Sequence, residues 1–174
     1  FFAERAAGKI PGISKTTETR QFGSAGVVGA GTMGGGITMN FANAGIPVTV
    51  VEQDAVLLDK GLSIIKKNYA TTVTKGRLTQ EKMDERLALI VGSTTLDDLA
   101  DADIVIEAIY EEMSAKKDLF GRLDQCAKTT AILTSNTSYL DVNEIAESIP
   151  NRKGNVLGTH FFSPANAVSY THLR

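Results

Sequence analysis

Six consecutive residues, Gly29-Ala30-Gly31-Thr32-Met33-Gly34, constrain this chain more than any other stretch. They spell G-x-G-x-x-G directly after the apolar run Ala25 to Val28 and directly before a helix-forming run from Met33 to Asn43 that Gly45 closes. In that setting the first glycine permits a tight turn, the second lets another molecule approach the backbone with no Cβ in the way, and the third lets helix and strand pack closely. The start of the helix then offers unpaired N–H groups and a positive dipole end, which suit an anion such as a pyrophosphate. A glycine turn alone is weak evidence in a chain with 16 glycines.

The surrounding pattern strengthens it. From Ser24 onward short apolar runs alternate with amphipathic stretches, as expected of strand-helix-strand units around a parallel sheet. Pro47 to Val51 reads as a second strand. Asp54 caps a long helix in which Leu58, Leu62, Ile65 and Tyr69 form one apolar stripe, and Gly76 ends it. Thr79 caps a helix through Leu87, and a short strand begins at Ile90-Val91. A stronger strand follows at Asp103 to Glu107, then a helix from Ser114 to Cys126 with Leu119, Phe120 and Leu123 on one side. A strand at Ala131 to Thr134, a helix from Asp141 to about Ser148 and a strand at Asn155 to Gly158 complete the series.

Composition bounds the function classes. The 174 residues suit one domain, and 18 Lys plus Arg against 20 Asp plus Glu leave no cationic surplus for nucleic acid or an anionic membrane. No apolar stretch approaches the roughly 20 residues of a membrane span. One cysteine, Cys126, and two histidines offer no metal-ligand cluster, so metal-free chemistry in a reducing setting is expected.

Glu52 adds a second element to the glycine turn. It ends the second strand, 21 residues past Gly31, where a carboxylate can accept hydrogen bonds from the adenosine ribose of a dinucleotide. A carboxylate there repels a 2′-phosphate, and no arginine lies nearby in sequence, so NAD is favoured over NADP. A structural glycine turn beside a solvated acid is the bland alternative, and it needs position, flanks and spacing all to agree by accident.

Candidate chemistry gathers where strands end, since ligands of open α/β sheets bind outside the strands' carboxyl ends. His160 stands there in Gly158-Thr159-His160-Phe161-Phe162-Ser163-Pro164. A histidine beside two phenylalanines is more often a satisfied, partly buried side chain than a general base. Ser135-Asn136-Thr137-Ser138 could present hydroxyls and an amide at the same edge, or could simply be a polar turn before Asp141. Glu107, Glu111 and Lys116 flank the fourth strand's exit and, unaided, read as a solvated start to a helix.

Four motifs in order carry a resemblance: residues Gly26 to Ile37, Ile106-Glu107-Ala108, Ser135-Asn136-Thr137-Ser138, and His160-Phe161-Phe162-Ser163-Pro164. Together, from about Gly23 to Asn166, they resemble the NAD-binding domain of the L-3-hydroxyacyl-CoA dehydrogenases of fatty-acid β-oxidation. The resemblance implies a Rossmann-type, doubly wound α/β fold with a mostly parallel sheet, and oxidation of a 3-hydroxyacyl-CoA to the 3-ketoacyl-CoA with hydride passing to NAD. His160 matches the base that takes the hydroxyl proton, and Ser138 the serine that holds substrate and nicotinamide in register. Gly29, Gly31, Thr32, Met33, Gly34 and Glu52 are expected to hold the dinucleotide, with Glu107, Glu111, Lys116, Ser138 and Ser163 as further cofactor positions.

Residues 1–22 read as a helix end and linker. Phe1-Phe2-Ala3-Glu4-Arg5 resembles the segment that joins an enoyl-CoA hydratase domain to the dehydrogenase in bifunctional members, so an upstream hydratase domain and a downstream helical domain are expected in a parent protein. The expected compartment is the cytoplasm in a bacterium, or the mitochondrion or peroxisome in a eukaryote.

The family pattern breaks near the end. A glutamate twelve residues past the histidine orients the imidazole in the family, and here that position is His172. From Ala167 to Arg174 the text does not continue the family, and Ser169 to Arg174 resembles a translated sequencing adapter. Feeble turnover is therefore expected alongside NAD(H) binding. Two further readings stay open: a small-hydroxy-acid dehydrogenase of the 6-phosphogluconate or hydroxyisobutyrate type, which lacks the His-Phe-Phe-Ser-Pro segment, and a non-catalytic NAD(H)-binding module.

Overall fold

The computed structural model describes residue 14 and residues 16–165. Residues 1–13 and 15 of the expected helix end and linker, and the 167–174 tail with His172, lie outside the described residues.

Strand β1 (Ala25–Val28) leads into α1 (Thr32–Asn43), β2 (Val48–Val51), α2 (Ala55–Thr74), α3 (Gln80–Ala88) and β3 (Ile90–Ser93). The second half runs β4 (Ile104–Glu107), α4 (Met113–Cys126), β5 (Ile132–Ser135), α5 (Val142–Ala146) and β6 (Val156–Gly158). The six strands form one sheet in the order β3-β2-β1-β4-β5-β6, and every pairing is parallel. Chain order reverses between β1 and β4, which opens a crevice at the carboxyl ends of those strands.

The sheet is apolar on both faces because helices cover both. All four residues of β1 are buried; Ala25 and Val27 pack with Ile37, Val50 and Leu58 on one side, while Val28 packs with Leu119, Phe120 and Leu133 on the other. A strand buried on both faces reads as a continuous apolar run, which is why β1 and β4 were legible without alternation.

The helix boundaries follow the capping residues. Asp54 accepts from the amides of Val56 at 2.8 Å and Leu57 at 3.0 Å, Thr79 accepts from Lys82, and Asp141 accepts from Asn143. Gly45 and Gly76 close α1 and α2 with φ of +78° and +66°. On α2 the expected stripe faces inward: Leu58, Ile65 and Tyr69 are buried and Leu62 is half-buried, while Lys60, Lys66 and Lys67 are exposed. The Tyr69 hydroxyl bonds Asn43 Oδ1 at 3.0 Å and Met39 O at 3.3 Å, locking α2 onto α1. Burial there pushes its phenol up to about 12, against the opposing charge of Arg86.

Several boundaries differ from expectation by a residue or two: α1 starts at Thr32, β2 at Val48, β4 at Ile104 and α4 at Met113. Helix α5 stops at Ala146, where Glu147 caps it, and a turn covers the remainder. Residues Lys153–Asn155 form a 3₁₀ turn, so β6 starts one residue late. Strand β5 is shifted by one and includes Ser135, which makes that serine a buried strand residue. Among the described residues no helix is long and apolar enough to cross a membrane.

Candidate dinucleotide and active site

The fold itself requires two of the three loop glycines and leaves the third open. Gly29 has φ of +105°, and a Cβ on it would lie 2.7 Å from the carbonyl oxygen of Ala108 in the neighbouring strand's exit. A Cβ on Gly34 would lie 1.8 Å from the carbonyl oxygen of Gly29, so the helix start can sit against the turn only without one. Around Gly31 the opposite holds: a Cβ there would meet no protein atom within 4 Å. That residue is exposed and caps α1 with no side-chain hydrogen bond, and the first turn of α1 carries no acidic residue. Its amides are thus left to an outside acceptor, and an anion fits that open face.

Glu52 is bound into the loop. Its Oε2 accepts from the Ala30 amide at 3.2 Å, while the Gly29 amide donates to Val51 O at 2.8 Å. The carboxylate is half-buried and lines, with Gly29 and Gly31, a cleft of about 560 Å³. Small-molecule sites run from roughly 300 to 1,000 Å³. Gln53, Leu57, Tyr110 and Arg122 line it as well. No arginine was expected near Glu52; the fold corrects this, since α4 brings exposed Arg122 into the lining of the same cleft. Thr32 is exposed and Met33 half-buried at the start of α1, outside the cleft lining.

The acids beyond β4 are not a solvated helix start. Glu107 and Lys116 have side chains with 0% exposure, and Lys116 Nζ lies 2.7 and 2.8 Å from the two Glu107 carboxylate oxygens. Glu107 also accepts from the Ile109 amide and the Ser135 hydroxyl. Lys116 reaches Glu111 Oε2 at 3.3 Å, and the other Glu111 oxygen accepts from the Thr137 hydroxyl and, at 2.8 Å, the Ser138 amide. Lys116 therefore faces Glu107 and Glu111 instead of solvent. Partial burial pushes the Glu111 carboxyl up, but the Thr137 hydroxyl, the Ser138 amide and the Lys116 ammonium together hold it below its ordinary value.

That shift has a checkable sign. With its folded pKa below the unfolded one, Glu111 contributes stability that is complete above the ordinary glutamate value of about 4.3 and is lost as pH falls through the lower folded value. An NMR titration of the Ser138 amide should show its inflection below about pH 4.3. An inflection above that value would contradict the arrangement.

Ser138 and His160 meet around Thr137. Ser138 is exposed and follows Thr137 in the chain, and the His160 ring places Nδ1 3.1 Å from the Thr137 carbonyl oxygen. A carbonyl can only accept, so Nδ1 carries a proton there, and in the neutral ring the lone pair then lies on Nε2. The exposed imidazole packs edge-on to Phe162 with centroids 4.8 Å apart. Asn136 Oδ1 accepts from the Phe161 amide at 2.9 Å, and the Thr159 amide donates to Ser135 O, so the turn after β5 and the segment after β6 brace each other. Ser163 is exposed beyond this brace. The cleft lining holds Gly29, Gly31 and Glu52; Ser138, His160 and Ser163 lie outside it, along with Glu107, Glu111 and Lys116.

Gly61 was missed by sequence reasoning. A Cβ there would lie 2.5 Å from Ala30 O, so α2 can press against the glycine loop only at a glycine. A glycine inside an otherwise helical stripe was the available signal. The Thr137 carbonyl is a backbone group and left no signal.

Comparison with known proteins agrees with this geometry. Residues 24–171 match the family described as 3-hydroxyacyl-CoA dehydrogenase, NAD binding domain. The peroxisomal bifunctional enzyme of Cavia porcellus is 42% identical over 174 residues, spanning 97% of this chain and 23% of that protein. The 3-hydroxybutyryl-CoA dehydrogenase of Clostridioides difficile is 41% identical over 138 residues, spanning 79% of this chain and 49% of that one. The crystal structure of 3-hydroxybutyryl-CoA dehydrogenase from Escherichia coli superposes with a TM-score of 0.81 at 36% identity, covering 84% of this chain and 31% of that chain. The chain thus spans about a quarter of the length of the bifunctional relative, at 23%. With the glycine loop, Glu52 in the same cleft and the strand order all in place, the chain belongs to the 3-hydroxyacyl-CoA dehydrogenase NAD-binding domain family.

Proposed function

We propose that this chain holds NAD(H) at the β1–α1 loop and forms the cofactor half of an enzyme that oxidises (S)-3-hydroxyacyl-CoA to 3-ketoacyl-CoA in β-oxidation. The observation that carries the reading is the open face at Gly31, in one cleft with Glu52. The amides at the start of α1 would hold the pyrophosphate, and Glu52 the adenosine ribose. Bound there, NAD supplies the hydride acceptor.

The remaining work falls to side chains at the strand ends. His160 takes the substrate hydroxyl proton at Nε2, because the Thr137 carbonyl occupies Nδ1. The Ser138 and Ser163 hydroxyls, both exposed, orient the reacting groups, and Glu111 is the half-exposed member of the acid cluster that can face them. His160 and the segment around it favour this reading over a small-hydroxy-acid dehydrogenase, and the names of the relatives support the acyl-CoA substrate. In a parent protein we place an enoyl-CoA hydratase domain upstream and a helical domain downstream. The peroxisomal setting in the mammalian relative's name supports that compartment for a eukaryotic source; a bacterial source implies the cytoplasm.

The test is NADH oxidation by the purified chain with acetoacetyl-CoA. With His172 where the family carries its orienting glutamate, the expected result is NADH binding and turnover far below the ordinary enzyme median of about 10 per second. A rate at that median would contradict the expected weakness. Turnover with a small hydroxy acid and none with the acyl-CoA would overturn the substrate class.

A further inference from the structure

Two of the expected cofactor positions form a costly buried ion pair. Glu107 ends β4 and Lys116 sits in α4, and both side chains are wholly out of water. Ionic groups so placed gain little net stability over an apolar pair of similar volume, because desolvation offsets their attraction. Glu107 is also held by the Ile109 amide and the Ser135 hydroxyl, and one line of the pair's contacts leads on to Glu111.

Glu107 holds Lys116 through both carboxylate oxygens. The same ammonium holds Glu111 at 3.3 Å. Glu111 in turn binds both the hydroxyl of Thr137 and the amide of Ser138, which fixes the peptide between them. The Thr137 hydroxyl also accepts from the Leu140 amide at 3.0 Å, closing the turn. The Thr137 carbonyl is part of that fixed peptide, and it is the acceptor for His160 Nδ1. Each link is a hydrogen bond or ion pair, and the series starts at a buried charge and ends on the imidazole.

We propose that the Glu107–Lys116 pair is a positioning device for His160: through Glu111 it fixes the Thr137 carbonyl, which selects the imidazole tautomer with the proton on Nδ1 and the lone pair on Nε2. In this role Glu107 and Lys116 act through Glu111, with both of their own side chains wholly buried. The inference rests on the reading of His160 as the base, and it supplies an imidazole-orienting acceptor in a chain whose position 172 is histidine.

The tautomer is directly observable by NMR of the imidazole nitrogens in ¹⁵N-labelled full chain, at a pH about two units above the ordinary histidine value of about 6.5. His160 is assigned by its loss in His160→Gln. In the unaltered chain the Nδ1–H form should dominate. Lys116→Met strands a buried carboxylate and can unfold the chain, so the deciding variant is the double replacement Glu107→Gln with Lys116→Met, which leaves a neutral buried pair. In that variant, melting cooperatively near the parent temperature, the His160 signal should lose its Nδ1–H dominance. A Lys116→Arg variant, which keeps the cation, should retain it.

An unchanged tautomer in the folded double variant would overturn the proposal and leave the pair merely structural. So would an Nε2–H form in the unaltered chain. The measurement uses no cofactor or substrate. Failure of the parent chain to bind NADH would therefore defeat the functional reading and leave the tautomer result standing.

Discussion

Replacement of Lys116 by methionine is expected to lower the free energy of unfolding by about 3–5 kcal/mol, because it leaves the Glu107 carboxylate at 0% exposure with no cation. In a domain of this size each kcal/mol moves the midpoint by about 2–4 °C, so the melting temperature should fall by about 6–20 °C. The Ser135 hydroxyl and the Ile109 amide still satisfy Glu107 in part, which argues for the lower half of that range. Neutralising both members, Glu107→Gln with Lys116→Met, should restore stability to within about 1.5 kcal/mol of the parent, since neither residue then carries an uncompensated charge. Urea unfolding of the three proteins checks this. A single variant that melts with the parent would mean that the pair is not buried as described.

The second large effect separates binding from folding. Gly31 has φ of −71° and ψ of −167°, an extended conformation with negative φ, and no protein atom lies within 4 Å of its prospective Cβ. Gly31→Val should therefore change stability by no more than about 0.5 kcal/mol. It should weaken NADH binding by at least about a hundredfold, or about 2.7 kcal/mol, because the valine side chain fills the face offered to the pyrophosphate. Gly34→Ala should behave oppositely in the fold. Its methyl would stand 1.8 Å from the Gly29 carbonyl oxygen, a backbone atom, so the loop must shift at a cost of about 1–3 kcal/mol or more. A Gly31→Val chain that binds NADH as tightly as the parent would remove the glycine loop from the binding site.

Local signals made most of the fold readable. Asp54, Thr79 and Asp141 cap helices because their side chains reach amides two or three residues ahead, an interaction that sequence spacing reports directly. Gly45 and Gly76 end helices for an equally local reason. The apolar runs of β1 and β4 declare a doubly covered parallel sheet. Where several turns compete over a few residues, as at α5 and the start of β6, the boundaries moved by one or two positions.

The site was readable only where one residue type suffices. The glycines and Glu52 announce themselves by spacing, and the cleft joins them. The environment of Glu107 and Lys116 was misread as solvated, because their burial depends on how α4 lies over the end of β4, which no local pattern encodes. Arg122 is 70 residues from Glu52 in sequence, and only the sheet order brings its helix to the same cleft. The His160 tautomer depends on a backbone oxygen that every residue possesses.

Titration calorimetry of the folded chain with NADH bears most directly on the central claim, that the β1–α1 loop and Glu52 together hold a dinucleotide. The expected result is a saturable heat at one site per chain, with NADPH binding more weakly because Glu52 opposes a 2′-phosphate. No heat with either redox form of NAD, in a sample that unfolds cooperatively, would contradict it.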